Sequence, residues 1–203
     1  SQWYEDQDLE LEAFHHAAAA NDFERAGRLI EGKGMPLYFR GTLTPLRNWL
    51  ETLSTKSLDA WPLLWTTYAS VSLATGQTSD VEQKLQAAET ALAPALRGAG
   101  PDDKTRDLIG RIAAIRATLA IYQNQIGTII SQSRRALEYL SPGNLYFRFT
   151  AVFTLSFACL LQGDRAAAED EFHRPALPHQ PRQPLRARKA RREAELHLRL
   201  PEL

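Results

Sequence analysis

One phrase recurs along this chain and constrains its fold more than any other feature: a helical run, a two-residue break, then a second amphipathic helix. It reads Ala17 to Ala20 then Asn21-Asp22, and Leu73-Ala74-Thr75 then Gly76-Gln77. It returns as Ile121-Tyr122-Gln123 then Asn124-Gln125, and as Leu160-Leu161-Gln162 then Gly163-Asp164. Repeated helix-turn-helix hairpins predict a stacked array, because no hairpin buries its apolar face alone and its neighbours supply the rest of the core. The expected class is all-α, a tetratricopeptide-like superhelical array of antiparallel helix hairpins. Such an array presents a surface, and nothing in the sequence is evidently built to perform chemistry.

The periodicity within each run supports this. Leu9, Ala13, His16, Ala17 and Ala20 lie at helical spacing, followed by Phe23, Ala26 and Ile30 after the break. Asn21-Asp22-Phe23-Glu24 and Ser79-Asp80-Val81-Glu82 both read as capping boxes. Thr44-Pro45 announces a third helix, with Pro at its first position and a stripe of Leu43, Leu46, Trp49, Leu50 and Leu53. A second hairpin is expected from about Asp59, with Pro62 in its first turn and Trp61, Leu64, Trp65, Tyr68 and Val71 as its stripe, then Val81, Leu85, Ala88 and Leu92. Between Leu108 and Tyr122 apolar residues occupy two faces, as on an inner helix of an array. The breaks fall near 21, 76, 125 and 163, at spacings of 55, 49 and 38, so the repeat is degenerate.

Composition bounds the rest. An apolar fraction of 44% suits a globular core, and the net charge of zero conceals an asymmetry. Ser1 to Phe172 carries 16 basic and 21 acidic residues, whereas His173 to Leu203 carries 8 and 3. We therefore read 1–172 as the helical-repeat domain and 173–203 as a disordered or aberrant tail. In that tail Pro175, Pro178, Pro181 and Pro184 forbid a helix, and five basic residues fall within Arg186 to Arg192. The abrupt change is what a truncated or frame-shifted reading frame would produce, and the missing initiator Met is expected of an excised piece.

The sites that could carry chemistry have simpler readings. Gly32-Lys33-Gly34 follows no strand and belongs to no phosphate-binding string, so no cofactor is expected in this chain. Glu12-x-x-His15 and Asp170-x-x-His173 share a di-metal spacing, but the inward-facing partners such a site needs are not evident, so no metal is expected. Cys159, the sole cysteine, lies in an apolar run and reads as a buried structural thiol; Asp102-Asp103 reads as a solvated turn. No catalytic residue is assigned. The basic tail lacks interleaved aromatics for stacking bases, and the acidic body offers nucleic acid no footprint. No stretch reaches the length of a membrane span, there is no signal-peptide pattern, and one cysteine suits a reducing cytoplasm. In solenoids the first helices of successive pairs line the groove, which points to Tyr68, Arg111, Tyr122 and Arg148 as residues that could face a ligand or partner.

The phrase Ala13-Phe14-His15-His16-Ala17-Ala18-Ala19-Ala20-Asn21-Asp22-Phe23-Glu24-Arg25-Ala26, with Trp3-Tyr4, Leu29-Ile30, Leu46-x-x-Trp49-Leu50-x-x-Leu53 and Pro62-x-Leu64, resembles the helical-repeat region of MalT-like regulators. These are the large ATP-binding members of the LuxR family of bacterial transcription activators. Gly76, Leu85-x-x-Ala88-Glu89, Gly110-Arg111-Ile112, Ala136-Leu137 and Gly163-Asp164-x-x-Ala167-Ala168 resemble the same region continuing. The resemblance implies a signal-sensing arm that binds a small-molecule inducer or protein partner and contacts neighbouring regulator domains. ATP would belong to an N-terminal module outside this chain, and specific DNA binding to a C-terminal helix-turn-helix outside it. A stand-alone scaffold that binds a peptide or protein is the alternative.

Overall fold

The computed structural model describes Tyr4 and residues 9–32, 36–37, 43–97, 100–165 and 168–169. All regular elements among them are helical: α1 (Glu10–Ala19), α2 (Phe23–Glu31), α3 (Leu43–Thr52), α4 (Thr55–Ala60), α5 (Pro62–Ala74), α6 (Val81–Leu92), α7 (Asp103–Tyr122), α8 (Ile126–Tyr139) and α9 (Leu145–Leu161). The recurring phrase has one physical cause. At each break a residue takes a left-handed conformation, Asn21 (φ 54°), Gly76 (φ 78°), Asn124 (φ 54°) and Gly163 (φ 77°). Around each, two backbone N–H groups bond back to the last turn. Asp22 reaches Ala17, Gln77 reaches Ser72, Gln125 reaches Ala120 and Asp164 reaches Cys159, at 2.8–3.0 Å. Within them Asn21, Gly76, Asn124 and Gly163 reach Ala18, Leu73, Ile121 and Leu160 at 2.9–3.1 Å. This is the Schellman closure, and it uses the two residue types that tolerate positive φ.

The closures set the packing. α1 pairs with α2, α5 with α6 and α7 with α8, while α7 also touches α5, α6 and α9. From α5 on, first helices thus stack on first helices, and the second helices α6 and α8 also touch the first helix of the next pair, as in a tetratricopeptide-like array. Among the described residues two large buried clusters result, beside a small third of Ala120, Ile129 and Ala158. One is built from Phe14, Ala17, Ile30, Leu46, Leu50, Leu64 and Val71, the other from Ala69, Leu85, Ile112, Ile115, Ala136, Phe147 and Leu155. α5 contributes to both, Leu64 and Val71 to the first and Ala69 and Leu73 to the second, which explains its apolar residues on every side. α7 is buried on two faces as expected, through Ile112, Ile115 and Leu119 and through Ala113, Ala117 and Ala120.

Several local expectations are corrected. Asp22, not Asn21, caps α2, accepting from the Arg25 N–H at 3.1 Å, because Asn21 is spent on the left-handed turn before it. Asp80, not Ser79, precedes the first residue of α6, and it makes no side-chain cap bond; one of its carboxylate oxygens pairs with Lys84 one turn on. Pro45 sits in the first turn of α3 rather than at its first position, where its missing N–H is still among those that a helix start leaves without a partner. The second hairpin begins at Pro62, since Ser54 caps a separate short helix, α4, that ends at Ala60; Trp61 is consequently 39% exposed. The second helix of the last hairpin and the tail from 173 lie outside the described residues, apart from Arg165, Ala168 and Glu169.

Candidate functional site

Stacked first helices leave a groove wherever their facing side chains are short or turned aside. On α7 the positions Asp107, Arg111, Ile115, Thr118 and Tyr122 recur at intervals of three and four and form one stripe. Facing it are Leu63, Thr66, Ser70 and Leu73 of α5 and Tyr146, Phe147 and Thr150 of α9. Three adjoining cavities follow this stripe, and Phe147 borders all of them. The first, about 180 Å³, lies at the N-terminal ends of α7 and α9 and is lined by Glu31, Asp107, Arg111, Ser141 and Asn144. A constriction of about 10 Å³ between Thr67, Arg111 and Phe147 leads on. The last, about 160 Å³, is bounded by Leu73, Ile115, Thr118, Tyr122 and Tyr146. One end is therefore charged and the other aromatic.

Asp107 organises the charged end. It is buried, and its carboxylate accepts from Arg111 Nε (2.8 Å), the Ser141 backbone N–H (2.9 Å) and Asn144 Nδ2 (2.9 Å). Burial alone would raise its pKa, but the Arg111 charge and these donors outweigh that and hold it below the usual carboxylate range. Arg111 is fixed in turn. Its Nη2 reaches Glu31 Oε1 at 2.9 Å, and its guanidinium lies over the Phe147 ring, 5.5 Å from the centroid. That ion pair joins the last residue of α2, in the first cluster, to α7 in the second.

Of the four residues expected to face a ligand, the groove brings together two. Arg111 stands at its charged end, and Tyr122, 62% exposed, at its aromatic end. Tyr68 is on another face of α5, where Lys84 Nζ sits 4.2 Å above its ring. Burial, with Glu51 and Asp80 nearby, raises the Tyr68 hydroxyl above its ordinary pKa. Arg148 turns inward. It is 7% exposed and donates through Nη1 to the Leu140 carbonyl at 2.9 Å, closing the end of α8 rather than facing the groove. Sequence reasoning missed Asp107, Asn144 and Glu31. An Asp four residues before an Arg on one helix was the available signal for Asp107.

The other sequence candidates are placed plainly. Cys159 is buried, and Asp102 caps α7 by accepting from the Thr105 N–H at 2.8 Å. Those bonds lower its pKa. Among the described residues no three His, Cys, Asp or Glu side chains gather as a metal set, and no helix is long and apolar enough to cross a membrane. Asp170 and His173 lie outside those residues.

Residues 110–176 match the family model for the MalT-like TPR region. The matched segment, about a third of the chain, takes in most of α7 together with α8 and α9. It supports the MalT-like helical-repeat resemblance and the tetratricopeptide-like class, one that typically acts as a scaffold in protein interactions. No curated protein and no solved structure gives a significant match.

Proposed function

We propose that this MalT-like helical-repeat array is the signal-sensing arm of a LuxR-type bacterial transcription regulator, receiving an effector or protein partner in the groove along α5, α7 and α9. The observation that carries the reading is the groove itself, which crosses three successive first helices and joins a fixed charged cluster to an aromatic end. A ligand lying across all three touches both buried clusters. It therefore favours one arrangement of the stack over another, and that preference is what neighbouring domains would sense. A differential affinity of about 1.4 kcal/mol shifts the population tenfold. ATP and promoter DNA would be handled by other modules of the regulator, in the cytoplasm, and this segment would bind without catalysing a reaction.

A thermal-shift screen of the 203-residue chain against sugars, amino acids, organic acids and their neutral analogues tests this reading. A true effector raises the melting temperature with dose, by about 2.7 kcal/mol of added stability at one hundred times its Kd. A chain indifferent to the whole panel would shift the weight to the second reading, a stand-alone scaffold for a peptide or protein. One observation favours that reading: Phe149 and Phe153 stack on α9 with centroids 6.3 Å apart and remain 59% and 50% exposed, next to Leu145 at 66%.

A further inference from the structure

Counted back from their closures, α7 and α9 carry opposite side chains on the same face. Phe149 holds the place of Gly110, and Phe153 that of Ala114. On α7 this face seats the second helix: Ala114 is fully buried, and a Cβ at Gly110 would lie 2.7 Å from Leu140 at the end of α8. A helix resting on α9 as α8 rests on α7 therefore has no room for either phenylalanine ring. Both rings are instead half-exposed or more, and they stack with centroids 6.3 Å apart. Residues from 170 on lie outside the described ones, but their sequence does not supply such a helix either. Counted forward from the closure, Pro175 holds the place of Ala136 and Pro178 that of Tyr139, both inside α8, where proline is not tolerated.

The uncovered stripe is long and carries no charge. Leu145, Phe149, Phe153 and Leu160 lie on one face of α9, each half-exposed or more. Arg148 is the one residue of that helix with a formal charge, and it is turned inward, whereas α8 exposes Arg135 and Glu138. An uncharged face meets its own copy without like-charge repulsion, and a two-fold contact requires that self-complementarity. The four side chains offer on the order of 500 Å² of apolar surface. Two copies would then bury roughly 1,000 Å², the lower limit of a specific interface and the range of weak, reversible ones. We propose that α9 is the contact between two copies of this chain, its helices lying antiparallel across a two-fold axis with each Phe149–Phe153 plate resting on the other. Aromatic plates pair favourably in this way, and their bulk, which excludes a closely seated second helix, suits a facing aromatic surface. The inference is independent of the groove reading, since Phe149, Phe153 and Leu160 line none of the three cavities.

Sedimentation velocity on the 203-residue chain across a wide concentration range tests this. A reversible monomer–dimer equilibrium is expected, with a Kd on the order of tens of micromolar for so small an interface. Phe153→Glu and Phe153→Lys should each weaken it about tenfold or more, because each carries an unpaired charge into an apolar contact. Phe153 is half-exposed, so both variants should keep the far-UV circular dichroism and melting temperature of the wild type. Mixing the two variants should restore dimers, as opposite charges then meet across the axis. A chain that stays monomeric throughout overturns the proposal, leaves the groove reading intact and assigns the aromatic face to the peptide of the scaffold reading. Association that Phe153→Glu does not weaken, that runs beyond the dimer, or that the mixture fails to restore also overturns it.

Discussion

The two packed regions that share α5 differ in the contacts described for them. Among the described residues the first, α1 to α4, shows aromatic packing: Phe14 meets Trp49 edge-on at 5.3 Å, Phe23 meets Trp49 at 6.3 Å, and Tyr4 stacks on His16 at 4.8 Å. Its described side-chain ion pair within α3, Arg47 with Glu51, is local and exposed. In the second region polar contacts span long sequence separations. Arg116 on α7 donates to both Glu82 and Glu89 of α6 at 2.9–3.1 Å, and Ser133 of α8 meets Thr154 of α9 at 2.7 Å. Burial opposes the Arg116 charge, yet the two glutamates raise its pKa further above the usual arginine value. Apolar contacts are non-directional and leave the register of a stack loosely set, whereas a guanidinium shared by two glutamates fixes which turn of α6 meets which turn of α7. It is in this polar-pinned region that the family match falls.

The contrast breaks most sharply at Phe14, which is fully buried in the first cluster. Phe14→Ala should cost about 3–5 kcal/mol, the lost transfer energy plus a cavity. If the regions are separately held, native-state hydrogen exchange will accelerate in α1 to α3 much more than in α7 to α9. Uniform acceleration would instead mean that α5 transmits the loss and the array opens as one unit.

Next in size is Asp107→Asn, expected to cost about 1.5–3 kcal/mol because the new side chain cannot accept from Arg111, Ser141 and Asn144 together. The substitution carries a pH signature that cavity mutants lack. The folded pKa of Asp107 is depressed, so its contribution is complete above the unfolded value of about 3.9 and is lost as pH falls through the folded one. Urea melts of the variant should accordingly depend less on pH below about 4 than those of the wild type. A parallel acid dependence in both would show that other carboxylates dominate.

Gly110→Ala comes third. A Cβ there would lie 2.7 Å from both Cγ and the backbone N of Leu140, so the end of α8 must move. Overpacking of this kind costs about 1–3 kcal/mol, against which Ala regains about 1 kcal/mol of helix propensity. A chemical-denaturation midpoint below that of the wild type is expected, and an unchanged or higher one would mean that α7 and α8 separate more freely than the second region's polar pinning suggests.

The same contrast explains what the sequence made legible. The four breaks, the two-sided burial of α7 and the placing of Arg111 and Tyr122 on a first helix follow from period and turn chemistry, which are local. What escaped depended on tertiary partners. Periodicity placed Arg148 on a first helix but could not say that the Leu140 carbonyl, eight residues back, would draw it inward. Asp107 went unremarked in the sequence, because what singles it out is the α8–α9 connection that brings Ser141 and Asn144 onto it. Asn21 was misread because a capping motif specifies residue types, while the left-handed turn claims that residue; the box headed by Ser79 was misread by one position, since α6 begins from Asp80 without a side-chain cap bond.

The last comparison lies at the closures, where both regions use one motif with different residues. Asn21 and Asn124 hold φ at 54°, and Gly76 and Gly163 at 77–78°. A Cβ at Gly76 or Gly163 meets nothing within 4 Å, so any cost of adding one is conformational rather than steric. Gly76→Ala should therefore lose about 1–2 kcal/mol, the left-handed penalty of an L-residue, while Gly76→Asn should lose only part of it because Asn populates that region more readily. Asn124→Gly, the reverse exchange, should leave stability within about 1 kcal/mol of the wild type, since the gain in conformational ease is offset by the larger entropy of the unfolded glycine. Thermal melts of the three variants give the order directly. Should Gly76→Ala prove as mild as Gly76→Asn, the closures would be imposed by the packing of the hairpins rather than encoded at the breaks, and the recurring phrase would be a consequence of the array instead of its cause.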